Sequence, residues 1–111
     1  MLVRDIMTQN VETLNVTDTL LIAEDIMNLG EIRHLPVVRG DRLVGIVTQR
    51  DILRASLSCL IRHKPEDKLT FRRGVSVAEI MTQSVITVTP DTTVNEAAQI
   101  MAENKIGCLP V

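Results

Sequence analysis

An internal duplication constrains the fold of this 111-residue chain more than any other feature of its sequence. The segment Ile6–Gln9 recurs as Ile80–Gln83, an offset of 74 positions, and residues 1–37 align with residues 75–111 without a gap. Of these 37 aligned pairs 15 are identical, whereas ordinary residue frequencies predict about 2 or 3. The identical residues of the first copy are Val3, Ile6, Met7, Thr8, Gln9, Val11, Thr13, Thr19, Ala23, Ile26, Met27, Ile32, Leu35, Pro36 and Val37.

The repeat unit, as the first copy shows it in full, is predicted to be β-α-β-β-α, because the spacing of its apolar residues alternates between the strand period and the helical period. Thr17 and Asp18 are suited to cap the first helix, and Gly30 is suited to end it in the left-handed conformation. In the first copy we predict strands over 11–16, 35–38 and 43–47, a turn over 39–42, and a second helix from Thr48 to about Ile61.

The predicted fold class is α/β (α+β), with two such units in tandem, packed about a pseudo-twofold axis. Residues 1–62 form the first unit, the polar residues 63–74 form a linker, and residues 75–111 form a second unit that is incomplete after its second strand. The linker end contains a basic trio that is either a phosphate-binding patch or, as its mixed surroundings favour, a solvated segment. The trio is Lys68, Arg72 and Arg73.

Composition excludes several classes of partner. The net charge of -2 and the isoelectric point near 5.6 give no general attraction to nucleic acid or to an anionic membrane. No apolar run approaches the length that spans a bilayer, and residues 1–5 lack the order of a signal peptide, so we expect a cytoplasmic location.

Cys59 and Cys108 match no zinc or redox motif and are predicted to be reduced thiols.

The duplicated unit resembles the cystathionine-β-synthase (CBS) domain pair, or Bateman module. The resemblance rests on Ile-Met-Thr near each start, on Ile-x-x-Leu-Pro-Val before the turn, and on residues 43–51, Leu-Val-Gly-Ile-Val-Thr-Gln-Arg-Asp. It covers the chain apart from the linker and is similar to small stand-alone prokaryotic pairs, including the acetoin-utilisation group. It implies a regulatory module that binds AMP, ADP, ATP or S-adenosylmethionine in the cleft between the repeats, needs no other cofactor, and dimerises through its helices.

The resemblance also implies roles for residues of the first unit. Thr48 and Asp51 would hold the ribose, because an ionised carboxylate accepts hydrogen bonds from two vicinal hydroxyls. The same two residues have the spacing of a helix capping box, which would exist without a ligand. Arg33 and His34 would contact phosphate, although Arg33 can equally be a solvated residue at the entrance to a strand.

From the second unit, the resemblance implies an adenine wall built by Thr82, Ile86 and Ile106. The alternative interpretation of these positions is ordinary core packing, above all for Ile106. No base beside a nucleophile and no metal set is evident, so we predict that the chain is not an enzyme. The remaining alternative to a nucleotide sensor is an interaction module that dimerises without a ligand.

Overall fold

The structure is a computed structural model that describes the backbone of residues 1–62 and 74–111 and the side chains of residues 1–57 and 74–111. The predicted linker, apart from Gly74, and its basic trio lie outside the described residues. Contacts divide the chain into two compact units. One unit is continuous, from Glu12 to Ser84, and the other combines Met1–Val11 with Val85–Val111. These units differ from the sequence repeats, because each contains a segment of both copies.

The unit of Glu12–Ser84 contains a three-stranded sheet in the order β1-β2-β3, comprising β1 (Leu14–Asn15), β2 (His34–Arg39) and β3 (Arg42–Thr48). Strand β1 runs parallel to β2, and β2 runs antiparallel to β3 across the turn at Gly40, whose φ is +62°. The predicted second and third strands are confirmed. The first is much shorter than predicted, and it ends at Asn15 because the Asn15 and Asp18 side chains bond nearby main-chain N–H groups in a turn.

Two helices complete this part of the unit, α1 (Leu20–Gly30) and α2 (Gln49–Arg62). The predicted caps of α1 were each wrong by a residue or two. Thr19 caps the helix, since its Oγ1 accepts a hydrogen bond from the Ile22 N–H at 3.4 Å. At the other end Gly30 stays helical and Glu31 takes the left-handed conformation, with a φ of 52°. The helix therefore ends one residue later than a glycine cap would end it.

The core of the Glu12–Ser84 unit is aliphatic, and it includes a residue of the second sequence copy. Val77 is fully buried there, and its N–H donates to the Asp18 carbonyl oxygen at 2.8 Å. The Leu20 N–H donates to the Val75 carbonyl oxygen at 2.9 Å. The buried cluster comprises Leu14, Leu20, Ala23, Met27, Leu35, Val37, Val47, Ile52 and Val77.

The other compact unit consists of Met1–Val11 and Val85–Val111 and contains helix α3 (Val94–Asn104). Its start segment is held by the same contacts, displaced by 74 residues. Leu2 forms a bridge with Thr93, just as Ser76 does with Thr19 in the Glu12–Ser84 unit. Arg4 also forms an ion pair with Asp91, which has no counterpart there because the matched residues are Ala78 and Thr17. Residues 85–111, all of them described, contain no assigned strand, although the Val88 N–H donates to the Pro110 carbonyl oxygen at 3.0 Å.

The two start segments have the same local form, a short 3-10 helix over Val3–Asp5 and over Val77–Glu79. Each start segment lies in the unit that contains the first helix of the other copy.

Among the helices that the structure describes, none combines the length and apolar character needed to traverse a lipid bilayer.

Candidate functional site

The junction between β3 and α2 places Thr48 and Asp51 in a reciprocal pair of hydrogen bonds. The Asp51 N–H donates to Thr48 Oγ1 at 3.2 Å, and the Thr48 N–H donates to Asp51 Oδ2 at 2.9 Å. This is the capping box that the sequence suggested as the alternative interpretation. It engages one oxygen of Asp51, and a carboxylate has about four lone-pair positions. The capping geometry is therefore compatible with further hydrogen bonds from a ligand.

The start of β2 lies against the same junction. The main-chain oxygen of Arg33 accepts a hydrogen bond from the N–H of Gln49, the first residue of α2, at 2.9 Å. His34 is the register partner of Thr48 in the antiparallel ladder, so their side chains project from the same face of the sheet. The Arg33 residue is exposed and His34 is half-buried. The structure thus brings together the four residues predicted from the first copy.

Thr82 lies in this unit as well, although the sequence assigns it to the second copy. It forms an antiparallel bridge with Ile46, in which Ile46 N–H donates to the Thr82 oxygen at 3.0 Å and Thr82 N–H donates back at 2.9 Å. Ile46 precedes Thr48 by two residues on β3. Because residues two apart on a strand lie about 6–7 Å from each other, Thr82 is close to the junction.

Gly45 is the residue whose importance the sequence reasoning missed. A Cβ atom at this position would lie 2.5 Å from Met81 Sδ and 3.0 Å from the Thr82 carbonyl oxygen. Any larger residue would force the Met81 side chain and the Thr82 main chain to shift, so glycine suits the close approach of the 75–84 segment to β3. The signal was an isolated glycine inside a predicted strand, which often marks the close approach of another backbone.

Ile86 and Ile106 belong to the other compact unit. Ile86 is 38% exposed, and Ile106 is half-buried. The Ile106 N–H donates to the Met101 oxygen at 3.1 Å, which completes a Schellman motif after α3, with Lys105 in the left-handed conformation. Ile106 therefore has a structural role of its own at the end of this helix.

The ionisable groups around the junction offer hydrogen bonds and charge rather than a metal site. Among the described residues no group of three or more His, Cys, Asp or Glu side chains could hold a metal ion.

Burial raises the pKa of the Cys108 thiol above its ordinary value, which keeps the thiol protonated. Such a thiol is a poor nucleophile and metal ligand.

The family model of the CBS domain matches residues 3–58 and 77–111, which together make up most of the chain. A CBS domain-containing protein of Dictyostelium discoideum is 37% identical over 111 residues, covering 99% of this chain and 77% of that protein. Enzymes also match, among them a homoserine O-acetyltransferase of Methanosphaerula palustris at 36% identity. The chain spans only 20% of that enzyme's length.

Several solved structures are also similar to this chain over nearly its whole length. A putative acetoin utilization protein from Vibrio cholerae superposes with a TM-score of 0.83 at 37% identity, covering 100% of this chain and 76% of its own. The structure of CBSX2 in complex with AMP has a TM-score of 0.80 at 27% identity, covering 99% and 80%. The CBS domain pair of the protein MJ0100, in complex with 5-methylthioadenosine and S-adenosylmethionine, has a TM-score of 0.80 at 31% identity, covering 100% and 79%. The duplicated sequence, the mixed α/β fold and these matches together show that the chain belongs to the CBS domain family.

Proposed function

We propose that this chain is a regulatory module that binds an adenosine-containing ligand, namely AMP, ADP or ATP, or alternatively S-adenosylmethionine. The observation that carries the proposal is the β3–α2 junction, where Thr48 and Asp51 are held in fixed geometry beside the start of β2. Two similar structures, at 27% and 31% identity, contain AMP or 5-methylthioadenosine with S-adenosylmethionine. Both sets of ligands share the adenosine group.

In this proposal the ribose hydroxyls donate to Asp51, whose second oxygen is not used by the capping bond to the Thr48 N–H. The Thr48 hydroxyl accepts from the Asp51 N–H and can still donate its own hydrogen to a ribose oxygen. Capping aligns both groups before a ligand arrives, which lowers the entropy lost on binding. The junction therefore offers a pre-organised site for a vicinal diol.

Arg33 is the proposed phosphate contact, because its guanidinium is permanently charged and exposed while its main chain is tied to Gln49. His34 would assist from the adjacent position. Thr82 donates its N–H to Ile46, so we assign adenine recognition to its side chain rather than to that N–H. Ile86 and Ile106 remain the proposed apolar contacts for the adenine ring.

The proposal is tested by isothermal titration of the chain with AMP, ADP, ATP and S-adenosylmethionine, followed by the same titrations of Asp51→Ala. Loss of charged hydrogen bonds worth about 1.5–3 kcal/mol predicts a 10- to 150-fold weaker affinity. Asp41→Ala is the matched control, since it removes an exposed carboxylate from the β2–β3 turn. It should leave the affinity unchanged.

A purely structural role for Asp51 predicts a different result. Loss of the cap alone would lower the free energy of unfolding by about 1 kcal/mol and leave the affinity nearly unchanged. Thermal unfolding of the same variants, measured with and without ligand, separates the two roles. If no adenosine-containing ligand binds to the unsubstituted chain, the nucleotide-sensing proposal is wrong.

The second candidate function is an interaction module that associates without a ligand. It is favoured by one specific observation, the exposure of Leu53 and Leu57 on α2. Large exposed apolar groups that cluster mark association surfaces. Self-association into a dimer is compatible with both candidates and forms part of our proposal.

A further inference from the structure

The sulfur atom of Met81 lies against the main chain of β3. It is 2.5 Å from the position that a Cβ atom of Gly45 would take. Because a bond between two such carbon atoms is about 1.5 Å long, the sulfur lies within about 4 Å of the Gly45 Cα atom. Met81 is half-buried and packs against the buried cluster of the Glu12–Ser84 unit. The side chain thus contacts the sheet while part of it remains accessible to solvent.

The residue that follows Met81 holds the outer edge of β3. Thr82 exchanges two main-chain hydrogen bonds with Ile46, at 2.9 and 3.0 Å. Pro36, the register partner of Ile46 in β2, has no N–H group to donate. Thr82 is accordingly the residue that satisfies the main-chain donor and acceptor of Ile46, which is only 9% exposed. A displacement of Met81 is transmitted to this bridge by the peptide bond between Met81 and Thr82.

The duplication supplies an internal control, because Met7 occupies the position that matches Met81. Both methionines are half-buried, and each donates its N–H to the carbonyl oxygen four residues earlier at 2.9 Å. Their local structure is therefore the same. Met81 differs in its contact with Gly45 and in the bridge made by its neighbour, since Thr8 forms no such bridge with any residue that the structure describes.

We propose that Met81 is an oxidation site at which hydrogen peroxide opens the bridge between the 75–84 segment and β3. A lone pair of the sulfur attacks one peroxide oxygen, the O–O bond breaks, and the second oxygen leaves as water. The product, methionine sulfoxide, is polar. An apolar contact cannot satisfy its oxygen, so the side chain turns toward water and leaves Gly45. Methionine sulfoxide reductases reverse the step, as two thiols become a disulfide and the oxygen leaves as water.

Opening of the bridge has a consequence for ligand binding, which rests on the proposed function. The Thr82 side chain is a proposed contact of the adenine ring, so a chain oxidised at Met81 should bind AMP more weakly than the reduced chain. The opening itself does not depend on any ligand. Hydrogen exchange of the bridge and titration with AMP therefore measure the two statements separately.

The test treats the chain with dilute hydrogen peroxide, follows each methionine by peptide mass spectrometry, and measures hydrogen exchange at the amides of Ile46 and Thr82. Oxidation of Met81 should accelerate the exchange of both amides by at least about tenfold, because their hydrogen bonds then open without global unfolding. The amides of β2 should keep their protection. Methionine sulfoxide reductases should restore slow exchange.

Four variants separate Met81 from the other methionines. M81L keeps the volume of the side chain without an oxidisable sulfur, so its bridge should stay closed with and without peroxide. M7L is the matched control and should remain as sensitive to peroxide as the original chain. M81Q places a polar side chain of similar length against Gly45 and should show fast exchange without peroxide, whereas M7Q should not.

Three results would overturn the proposal. They are a Met81 that resists peroxide under conditions that oxidise Met7, unchanged exchange of Ile46 and Thr82 after full oxidation of Met81, and an M81L variant whose bridge is still opened by peroxide. Faster exchange with unchanged AMP affinity would support the oxidation site and would remove Thr82 from the proposed adenine contacts. Faster exchange in a chain that binds no adenosine-containing ligand would support the oxidation site and refute the nucleotide-sensing function alone.

Discussion

The contact between Gly45 and the 75–84 segment yields a prediction that links packing to the candidate site. In Gly45→Ala the new methyl group would lie 2.5 Å from Met81 Sδ and 2.9 Å from Met81 Cγ. Ordinary van der Waals contacts lie near 3.5–4.0 Å, so the Met81 side chain must move by about 1 Å. The Thr82 carbonyl oxygen, at 3.0 Å, is tied to the Ile46 N–H and has less freedom to move.

The cost follows from these two contacts. Overpacking of a methylene-sized group typically destabilises a protein by about 1–3 kcal/mol, and each main-chain hydrogen bond of the Ile46–Thr82 bridge contributes about 0.5–1.5 kcal/mol. We therefore expect Gly45→Ala to lower the free energy of unfolding by about 1–3 kcal/mol. Methionine is flexible and adapts to irregular space. Because Met81→Ala removes the Sδ and Cγ atoms that the new methyl group would meet, Gly45→Ala should cost less than about 1 kcal/mol in that background.

Urea unfolding followed by circular dichroism measures these differences, and hydrogen exchange reports the bridge directly. The amides of Ile46 and Thr82 should lose protection in Gly45→Ala before the rest of the sheet does. Gly74→Ala is the matched control, because a Cβ there meets no heavy atom within 4 Å. Equal stability of Gly45→Ala and Gly74→Ala, with unchanged protection of both amides, would refute the close approach of the segment.

Two further predictions concern local features of the chain. Glu31 and Lys105 have φ angles of 52° and 54° at matched positions after α1 and α3, so replacing either by glycine should stabilise the protein by about 1 kcal/mol. Ala102→Gly, at an exposed position inside α3, should instead destabilise it by about 0.5–1 kcal/mol, and a loss of stability in both end variants would contradict the assigned conformation. Because burial raises the pKa of Cys108, iodoacetamide should alkylate it more slowly in the folded than in the urea-unfolded protein at the same pH, as followed by peptide mass spectrometry. Equal alkylation rates in the folded and the unfolded protein would contradict the burial of the thiol. The raised pKa of Cys108 stabilises the folded state at a pH below the pKa of the unfolded protein, and this contribution is lost as the pH rises through the pKa of the folded protein.

Some relatives with the names of enzymes match this chain over only a small part of their length. The chain spans 20% of the length of the homoserine O-acetyltransferase named above. CBS sequence therefore occurs within larger proteins that have names of enzymes. Regulation operates through differential affinity of a ligand for two states, and the proposed nucleotide site on this chain is the place where such a difference would arise.

Much of the fold could be predicted from the sequence, because those parts depend on local patterns. The repeat, whose two copies are offset by 74 residues, identified the family. The alternation of apolar and polar residues located β2 and β3, and the helical spacing of apolar residues located α1 and α2, to within a few residues. The capping box of Thr48 and Asp51 was also foreseen as an alternative, since a cap depends only on residues three apart. The N-cap of α1 was misplaced because Thr17, Asp18 and Thr19 all have side chains suited to that role.

The sequence by itself therefore determined the family, the repeat and the identity of most secondary-structure elements. Only the tertiary structure decided which segments pack together: Val75–Ser84 belongs with the first copy's sheet, and Met1–Val11 belongs with α3. The physical reason is that these segments are held largely by main-chain hydrogen bonds, such as those between Thr82 and Ile46. Every residue except proline has the same main-chain donor and acceptor, so such pairing leaves little trace in side-chain patterns. Gly45 is the exception, because the close approach of the 75–84 segment leaves little room for a side chain at that position.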